Sequence, residues 1–264
     1  MANPMSKARW SFPKHDLSLS PSEVHIWRAW LDEKGPSHAD FIEILSSDEI
    51  KVASKFFFER DRKRYITSRG TLRCVLGRYL TIDPHEISFV RGQYGKPSLE
   101  DHPQLIEFNL SHSKELALFA FTIGHRIGID VECILPIDDF EQVANFFLSP
   151  TEREALAQLP EEIRLKGFYA AWTRKEALTK ALGVGIGDAW DKFEVNVSPV
   201  EGPAIKKISK DIAGGSNWQL LKVEPDPGYV ATLAVETSEI SLHFFDYPAG
   251  NLPLNEYPPR SLAK

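Results

Sequence analysis

The chain of 264 residues sets 31 Lys and Arg against 37 Asp and Glu, a formal net charge of −6, with 42% hydrophobic and 26% charged residues. That balance suits a folded protein of one large or two medium domains, and it argues against bulk attraction to nucleic acid. Two cysteines, Cys74 and Cys133, are too few for a disulfide scaffold and read as small apolar residues in a reducing compartment. No signal-peptide core precedes Lys14, and the longest apolar run, Leu116 to Phe121, is far too short to span a bilayer. The expectation is a cytoplasmic protein with no nucleic-acid or membrane partner.

Residues 1–22 are rich in Pro, Ser and Lys and read as an extended arm. Val24, Ile26, Trp27 and Trp30 mark a first strand over 23–30. Ser46-Ser47-Asp48-Glu49 is a helix start with Ser or Asp as N-cap. A basic stretch follows, from Lys51 and Lys55 through Arg60, Arg62, Lys63, Arg64, Arg69, Arg73 and Arg78, with Phe56, Tyr65, Leu72 and Leu76 between at helical spacing. It reads either as a solvated helical face or as an anion-binding surface. Asp83-Pro84 is a turn, 87–90 a short strand and 91–97 a loop. Glu107 to Leu110 enters Ser111-His112-Ser113, which reads as a loop. Residues 116–123 are a buried strand, Gly124-His125-Arg126 a turn and 127–132 another strand, which predicts a hairpin crossing the middle of the molecule.

In the second half Ser149 or Thr151 caps a helix, 161–182 is a long helix, and 193–197, 218–223 and 229–235 are strands. Tyr247 to Lys264 holds four of the 18 prolines and reads as an extended or disordered tail. Helices followed by strands occur twice. Phe56-Phe57-Phe58 ahead of one helix echoes Phe146-Phe147 ahead of another, which suggests an internal duplication.

Two stretches carry chemistry. In Ile127-Gly128-Ile129-Asp130-Val131-Glu132 the apolar residues share one strand face, leaving Asp130 and Glu132 beside Gly128 on the other. Two such carboxylates are either solvated acids on an exposed face or hard oxygen ligands for Mg²⁺. In Trp172-Thr173-Arg174-Lys175-Glu176-Ala177-Leu178-Thr179-Lys180, Glu176 and Lys180 are i, i+4 neighbours with Lys175 beside them. They form either an ordinary surface ion pair or the third carboxylate and a phosphate-binding cation. The alanines and leucines of this helix predict burial, which favours the second reading.

With Tyr94-Gly95-Lys96-Pro97 and Phe108-Asn109-Leu110-Ser111-His112-Ser113 upstream, these motifs resemble the 4'-phosphopantetheinyl transferases, in the large monomeric Sfp-type branch. The Trp-containing opening strand and Pro-rich arm are similar to the cyanobacterial members. The resemblance covers most of residues 45–235. It implies an α+β fold of two similar α/β subdomains related by pseudo-two-fold symmetry, 1–125 with the arm and 126–264 with the metal-binding motifs and the tail. It also implies Mg²⁺-dependent transfer of 4'-phosphopantetheine from coenzyme A to a serine of an apo acyl or peptidyl carrier protein, giving the holo carrier and adenosine 3',5'-bisphosphate.

Carried over, Asp130, Glu132 and Glu176 hold the metal, and Glu176, Lys180 and His112 act in catalysis. Arg64, Lys96, Ser111, His112 and Lys180 bind coenzyme A. One departure is Glu49 and Val52 where the family often has basic residues; Lys51 and Lys55 are the nearby candidates for the 3'-phosphate. The rival readings are a metal-dependent phosphohydrolase and a non-catalytic coenzyme A or carrier-binding module.

Overall fold

The computed structural model describes residues 10–13, 17–32, 36–100, 105–185 and 190–248. Most of the expected N-terminal arm and nearly all of the expected tail lie outside them. Within the described part of the arm, Trp10 meets Phe244 edge-to-face and Ser11 forms a bridge with Phe245.

The chain runs β1 (Glu23–Trp30), α1 (His38–Phe41), α2 (Ser47–Ala53), α3 (Glu59–Leu80), β2 (Phe89–Arg91), β3 (Pro97–Leu99), β4 (Ile106–Ser113) and β5 (Leu116–Ile123). It continues with β6 (Ile127–Cys133), α4 (Phe140–Phe147), α5 (Pro150–Ala157), α6 (Glu161–Leu182), β7 (Phe193–Val195), β8 (Ile205–Ile208), α7 (Lys210–Ala213), β9 (Gln219–Val223), β10 (Tyr229–Val235) and β11 (Ser241–Asp246). The strands form one sheet in the order β11-β1-β5-β4 and another in the order β6-β10-β9, with two-stranded ribbons β2-β3 and β7-β8. The β1–β11 pair is parallel; the other pairs are antiparallel.

Period-2 alternation explains the layering. Val24 and Ile26 of β1, Leu118 and Ala120 of β5, and Ile127, Ile129 and Val131 of β6 form one apolar layer between the two sheets. Trp27, Ala29, Phe119 and Phe121 face the other way, onto Leu72, Val75 and Leu76 of α3. On the far side, Phe168, Ala171, Ala177, Leu178 and Ala181 of α6 pack beneath the second sheet with Leu220 and Ala234. The order is therefore helix, sheet, sheet, helix, an α+β fold.

The expected hairpin between 116–123 and 127–132 is not formed. β5 already has β1 on one edge and β4 on the other, so β6 turns away after Gly124 and pairs with β10. The hairpin in this region is β4–β5. Ser111-His112-Ser113 belongs to strand β4 and is not a loop. The phenylalanine echo does not superpose either: Phe56 to Phe58 follow α2, whereas Phe146 and Phe147 precede α5.

The duplication lies in the helix starts. Ser46 and Ser149 each cap a short helix through a reciprocal capping box with Glu49 and Glu152. Each of those glutamates is then the buried partner of a cation on a helix of 22 residues. Glu49 accepts from Arg69 and Arg73 at 2.9 and 2.7 Å, and Glu152 accepts from Lys175 at 3.0 Å. Arg73 also donates to Pro84 O and Ile87 O, as Lys175 does to Trp190 O and Phe193 O.

The basic stretch is thus divided: Arg69 and Arg73 turn inward, whereas Lys51, Lys55, Arg60 and Arg62 stay exposed. Besides Arg69 and Arg73, Arg64 is bonded to Asp32, Lys63 to Glu59 and Lys51 to Asp48. Lys175 is likewise structural: with its side chain 1% exposed it points to Glu152 rather than sitting beside Glu176.

Candidate active site

The site forms where β4, β6 and α6 meet. β6 is an edge strand of the second sheet, and an edge leaves backbone groups without ladder partners. Here side chains fill that role. Asn109 Oδ1 accepts from Ile129 N at 2.8 Å, Ser113 Oγ accepts from Cys133 N at 3.1 Å, Lys180 Nζ donates to Ile129 O at 3.3 Å, and Lys96 Nζ donates to Ile127 O at 2.9 Å. Asn109, Ser111 and Ser113 all reach β6 because they alternate on β4. Asn109 and Ser113 belong to the site's framework although sequence reasoning assigned them no role; the alternation of polar side chains was the available signal.

Gly128 sets the distance between strand and helix. A Cβ built there would fall 2.1 Å from Ala177 O and 2.5 Å from Ala181 N, so only glycine lets α6 lie directly on β6. That approach brings Lys180 to Asp130. Lys180 Nζ donates to Asp130 Oδ1 at 2.7 Å and to Ser111 Oγ at 3.0 Å, and Ser111 Oγ donates to the same carboxylate oxygen at 2.8 Å. The expected Glu176–Lys180 neighbour pair is replaced by this cross-element pair. Asp130 is 3% exposed, so the solvated-acid reading of the strand face fails.

Glu132 Oε2 accepts from Ser113 Oγ at 2.7 Å. Burial raises its pKa, opposed by the Ser113 bond, while the Asp130 charge adds to the rise. Glu176 is pushed up to about 7, first by burial, then by the Asp130 charge; Lys180 opposes this and Glu132 adds to it. The three acids therefore share one field.

Asp130 Oδ2 and Glu176 Oε1 are both buried with no hydrogen-bond partner. Buried acceptors of this kind cost stability unless something satisfies them. The oxygens of the three acids do not all lie within 4.8 Å of one another. Like charges stand apart in this way while Lys180 and Ser111 hold one oxygen of Asp130. All-oxygen donors with two unsatisfied members fit a hard divalent cation such as Mg²⁺.

His112 is exposed on β4 between Ser111 and Ser113. Its pKa is lowered by desolvation and then by the Lys180 charge, with Arg64 contributing. Arg64 thus stands at the same margin, held by a two-point contact to Asp32 at 2.8 and 2.5 Å. Asp32 also lines a cavity of about 710 Å³ with His38, Arg60, Lys63 and Glu115. Lys96 is half-buried at the start of β6, and burial lowers its pKa. The structure accordingly gathers Asp130, Glu132, Glu176, Lys180, Ser111 and His112, with Arg64 and Lys96 flanking them. Lys51 lies at the surface on Asp48, and Lys55 is exposed at the end of α2.

The fold repeats a capped helix and a long helix, and it brings three acids and a lysine together where β4, β6 and α6 meet, which defines a candidate cation site. Comparison with known proteins narrows it. The profile of the 4'-phosphopantetheinyl transferase superfamily matches residues 126–234, and that of the 4'-phosphopantetheinyl transferase N-terminal region matches 29–123. The chain is 40% identical over 233 residues to the 4'-phosphopantetheinyl transferase HetI of Nostoc sp., covering 88% of this chain and 95% of that one. It is 33% identical to a putative 4'-phosphopantetheinyl transferase of Synechocystis sp., over 75% of this chain and 78% of the relative. To the transferase Sfp of Bacillus subtilis it is 30% identical, over 72% and 81%. The chain belongs to the 4'-phosphopantetheinyl transferase family, in its cyanobacterial-like type.

Proposed function

We propose that the protein uses the Asp130–Glu132–Glu176 site to transfer 4'-phosphopantetheine from coenzyme A to a serine hydroxyl of an apo acyl or peptidyl carrier protein, leaving adenosine 3',5'-bisphosphate. The observation that carries this reading is the pair of buried, partnerless oxygens, Asp130 Oδ2 and Glu176 Oε1, beside the Lys180 ammonium. Asp130, Glu132 and Glu176 would hold Mg²⁺, which when bound offsets negative charge on the coenzyme A pyrophosphate.

The side chains do the rest by position and charge. Lys180, anchored by Asp130, Ser111 and Ile129 O, presents a fixed ammonium to the phosphate that leaves. Glu176, or a water it polarises, takes the proton of the attacking serine. His112 and Ser111 line the diphosphate, and Arg64 and Lys96 bind the outer phosphates of coenzyme A. The cavity beside Asp32, with Arg60 and Lys63 on its wall, offers room and positive charge for the nucleotide end. The reading includes subdomains at 1–125 and 126–264, with β11 crossing back to complete the sheet of the first, and a cytoplasmic monomer. No helix among the described residues is long and apolar enough to cross a membrane.

Intact-mass analysis tests the proposal. Incubation with Mg²⁺, coenzyme A and several apo carriers is expected to add one phosphopantetheine to a carrier and to release adenosine 3',5'-bisphosphate. Absence of the mass gain on every carrier would sink the reading, and release of inorganic phosphate instead would favour a phosphohydrolase.

A further inference from the structure

Glu23, His25 and His243 form a cluster that the transfer reaction does not use. β1 and β11 run parallel with His25 opposite His243, and Glu23 lies two residues before His25 on the same face. One ligand atom from each residue lies within 4.8 Å of the other two. Glu23 Oε2 is 3.7 Å from His25 Nε2, and Glu23 Oε1 is 3.4 Å from His243 Nε2. Around a tetrahedral ion bound at about 2.0–2.1 Å, neighbouring ligand atoms stand roughly 3.3–3.4 Å apart. The side chains need only small rotations to meet that geometry.

We propose that Glu23, His25 and His243 form a binding site for zinc, or a divalent cation of similar softness, that fastens β11 to β1. The ligands are already oriented from behind. His25 Nδ1 and Tyr79 OH share a hydrogen bond of 2.8 Å, and Tyr79 OH accepts from Trp27 Nε1 at 2.9 Å, so Nε2 of His25 is turned towards Glu23 and His243. Glu23 Oε2 accepts from Ser20 N at 3.1 Å. Such outer partners fix ligand orientation and tune affinity.

Two imidazoles and one carboxylate select an ion of the zinc type, whereas Mg²⁺ prefers oxygen throughout. The site therefore does not compete with the Asp130 carboxylates for the same ion. His243, whose side chain is 44% exposed, gives an ion its way in and leaves a fourth position for water. Because residues 23 and 243 meet only in the folded chain, a bound ion stabilises the native state by mass action.

The test uses untagged full chain, stripped with EDTA and returned to excess Mg²⁺, then titrated with Zn²⁺ by calorimetry and thermal melting. One equivalent of Zn²⁺ is expected to bind and to raise Tm. His243→Ala, at the exposed ligand, should lower the affinity roughly tenfold or more, abolish the Zn²⁺-dependent rise and retain the metal-free Tm. Glu23→Gln should act the same way, while Asp130→Asn should leave Zn²⁺ binding unchanged. With Co²⁺ as probe, tetrahedral absorption bands are expected in the wild type and should be lost in His243→Ala. No stoichiometric Zn²⁺ binding in the wild type overturns the proposal. So does equal binding by the wild type and both ligand variants, or loss of binding in Asp130→Asn alone.

Discussion

The two halves of the molecule share a scaffold and differ in what they place at one position. Each sets a short capped helix against a long one, and each neutralises a buried cation with the N3 glutamate of its capping box. Arg73 and Lys175 are both the fifteenth residue of their helix. Counting on by one and by five gives Cys74 and Arg78 in α3, against Glu176 and Lys180 in α6. Counting back equally from the caps Ser46 and Ser149 gives Trp27 and Ala29 in β1, against Asp130 and Glu132 in β6. Where Lys180 grips Asp130, Arg78 lies over the ring of Trp27. The first half closes this position with apolar side chains; the second half fills it with three acids and leaves two buried oxygens without partners. A buried ion pair is thus common to both halves and serves the frame, whereas the carboxylate set belongs to one half and is the set proposed to serve the chemistry.

This contrast can be broken at graded strength. The largest effect is expected at Lys180: Lys180→Met should lower transfer by roughly 10²–10³-fold through loss of a fixed charge. Its counterpart Arg78→Met should leave turnover nearly unchanged and cost only about 1 kcal/mol of stability. Steady-state rates and chemical denaturation read the two effects separately. Next come the frame ion pairs. Glu49→Gln and Glu152→Gln each leave buried cations uncompensated and should cost about 3–5 kcal/mol in urea unfolding. The loss should be greater at Glu49, which holds two arginines.

The acids give a pH signature. The folded-state pKa of Glu176 is raised to about 7, above its unfolded value. The folded protein therefore binds more protons than the unfolded chain between about pH 4.5 and 7, and stability falls as pH rises through that window. Without divalent metal, Glu176→Gln should be more stable than the wild type by about 3 kcal/mol at pH 8 and no different near pH 4. Equal melting profiles at both pH values would count against a charged cluster. The smallest effect is steric: Gly128→Ala drives a methyl group into the backbone of α6 and should cost about 1–3 kcal/mol. Calorimetric melting gives the stability change, and lost activity at temperatures where the variant stays folded would show that the strand–helix distance sets the site.

Local pattern made much of this legible. The bounds of the first strand and of the helix over 161–182 follow from periodicity, and Ser46 and Ser149 are caps because polar residues precede apolar helical runs. The carboxylate strand and the lysine helix are readable as one site through the predicted burial of the helix and the family that their motifs together resemble, since the spacing within each is compatible with a plain surface pair. Long-range pairing was not readable. β11 joins β1 across most of the chain, and no residue near Ser241 encodes that partner. The supposed hairpin after Ile123 failed because a turn signal says nothing about whether the edge of β5 is already taken. The basic run reads as a solvated face or an anion surface, and neither reading separates Arg69 and Arg73, whose buried counter-ion is Glu49, from Arg60, Arg62 and Lys63, which stay at the surface; Glu49 is the same glutamate that departs from the family pattern. Lys175 was misplaced for a related reason: adjacent helix residues point in different directions.

In the proposed function the acids of the second half carry the transfer and the matching position of the first half does not. The most direct measurement is an intact-mass time course of an apo carrier with Mg²⁺ and coenzyme A, run with the wild type, Glu176→Gln and Cys74→Ser at equal folded concentration. Phosphopantetheine addition by the wild type and by Cys74→Ser at similar rates is expected, with a loss of roughly 10²–10⁴-fold for Glu176→Gln. Near-normal turnover by Glu176→Gln would remove the second-half acids from the transfer.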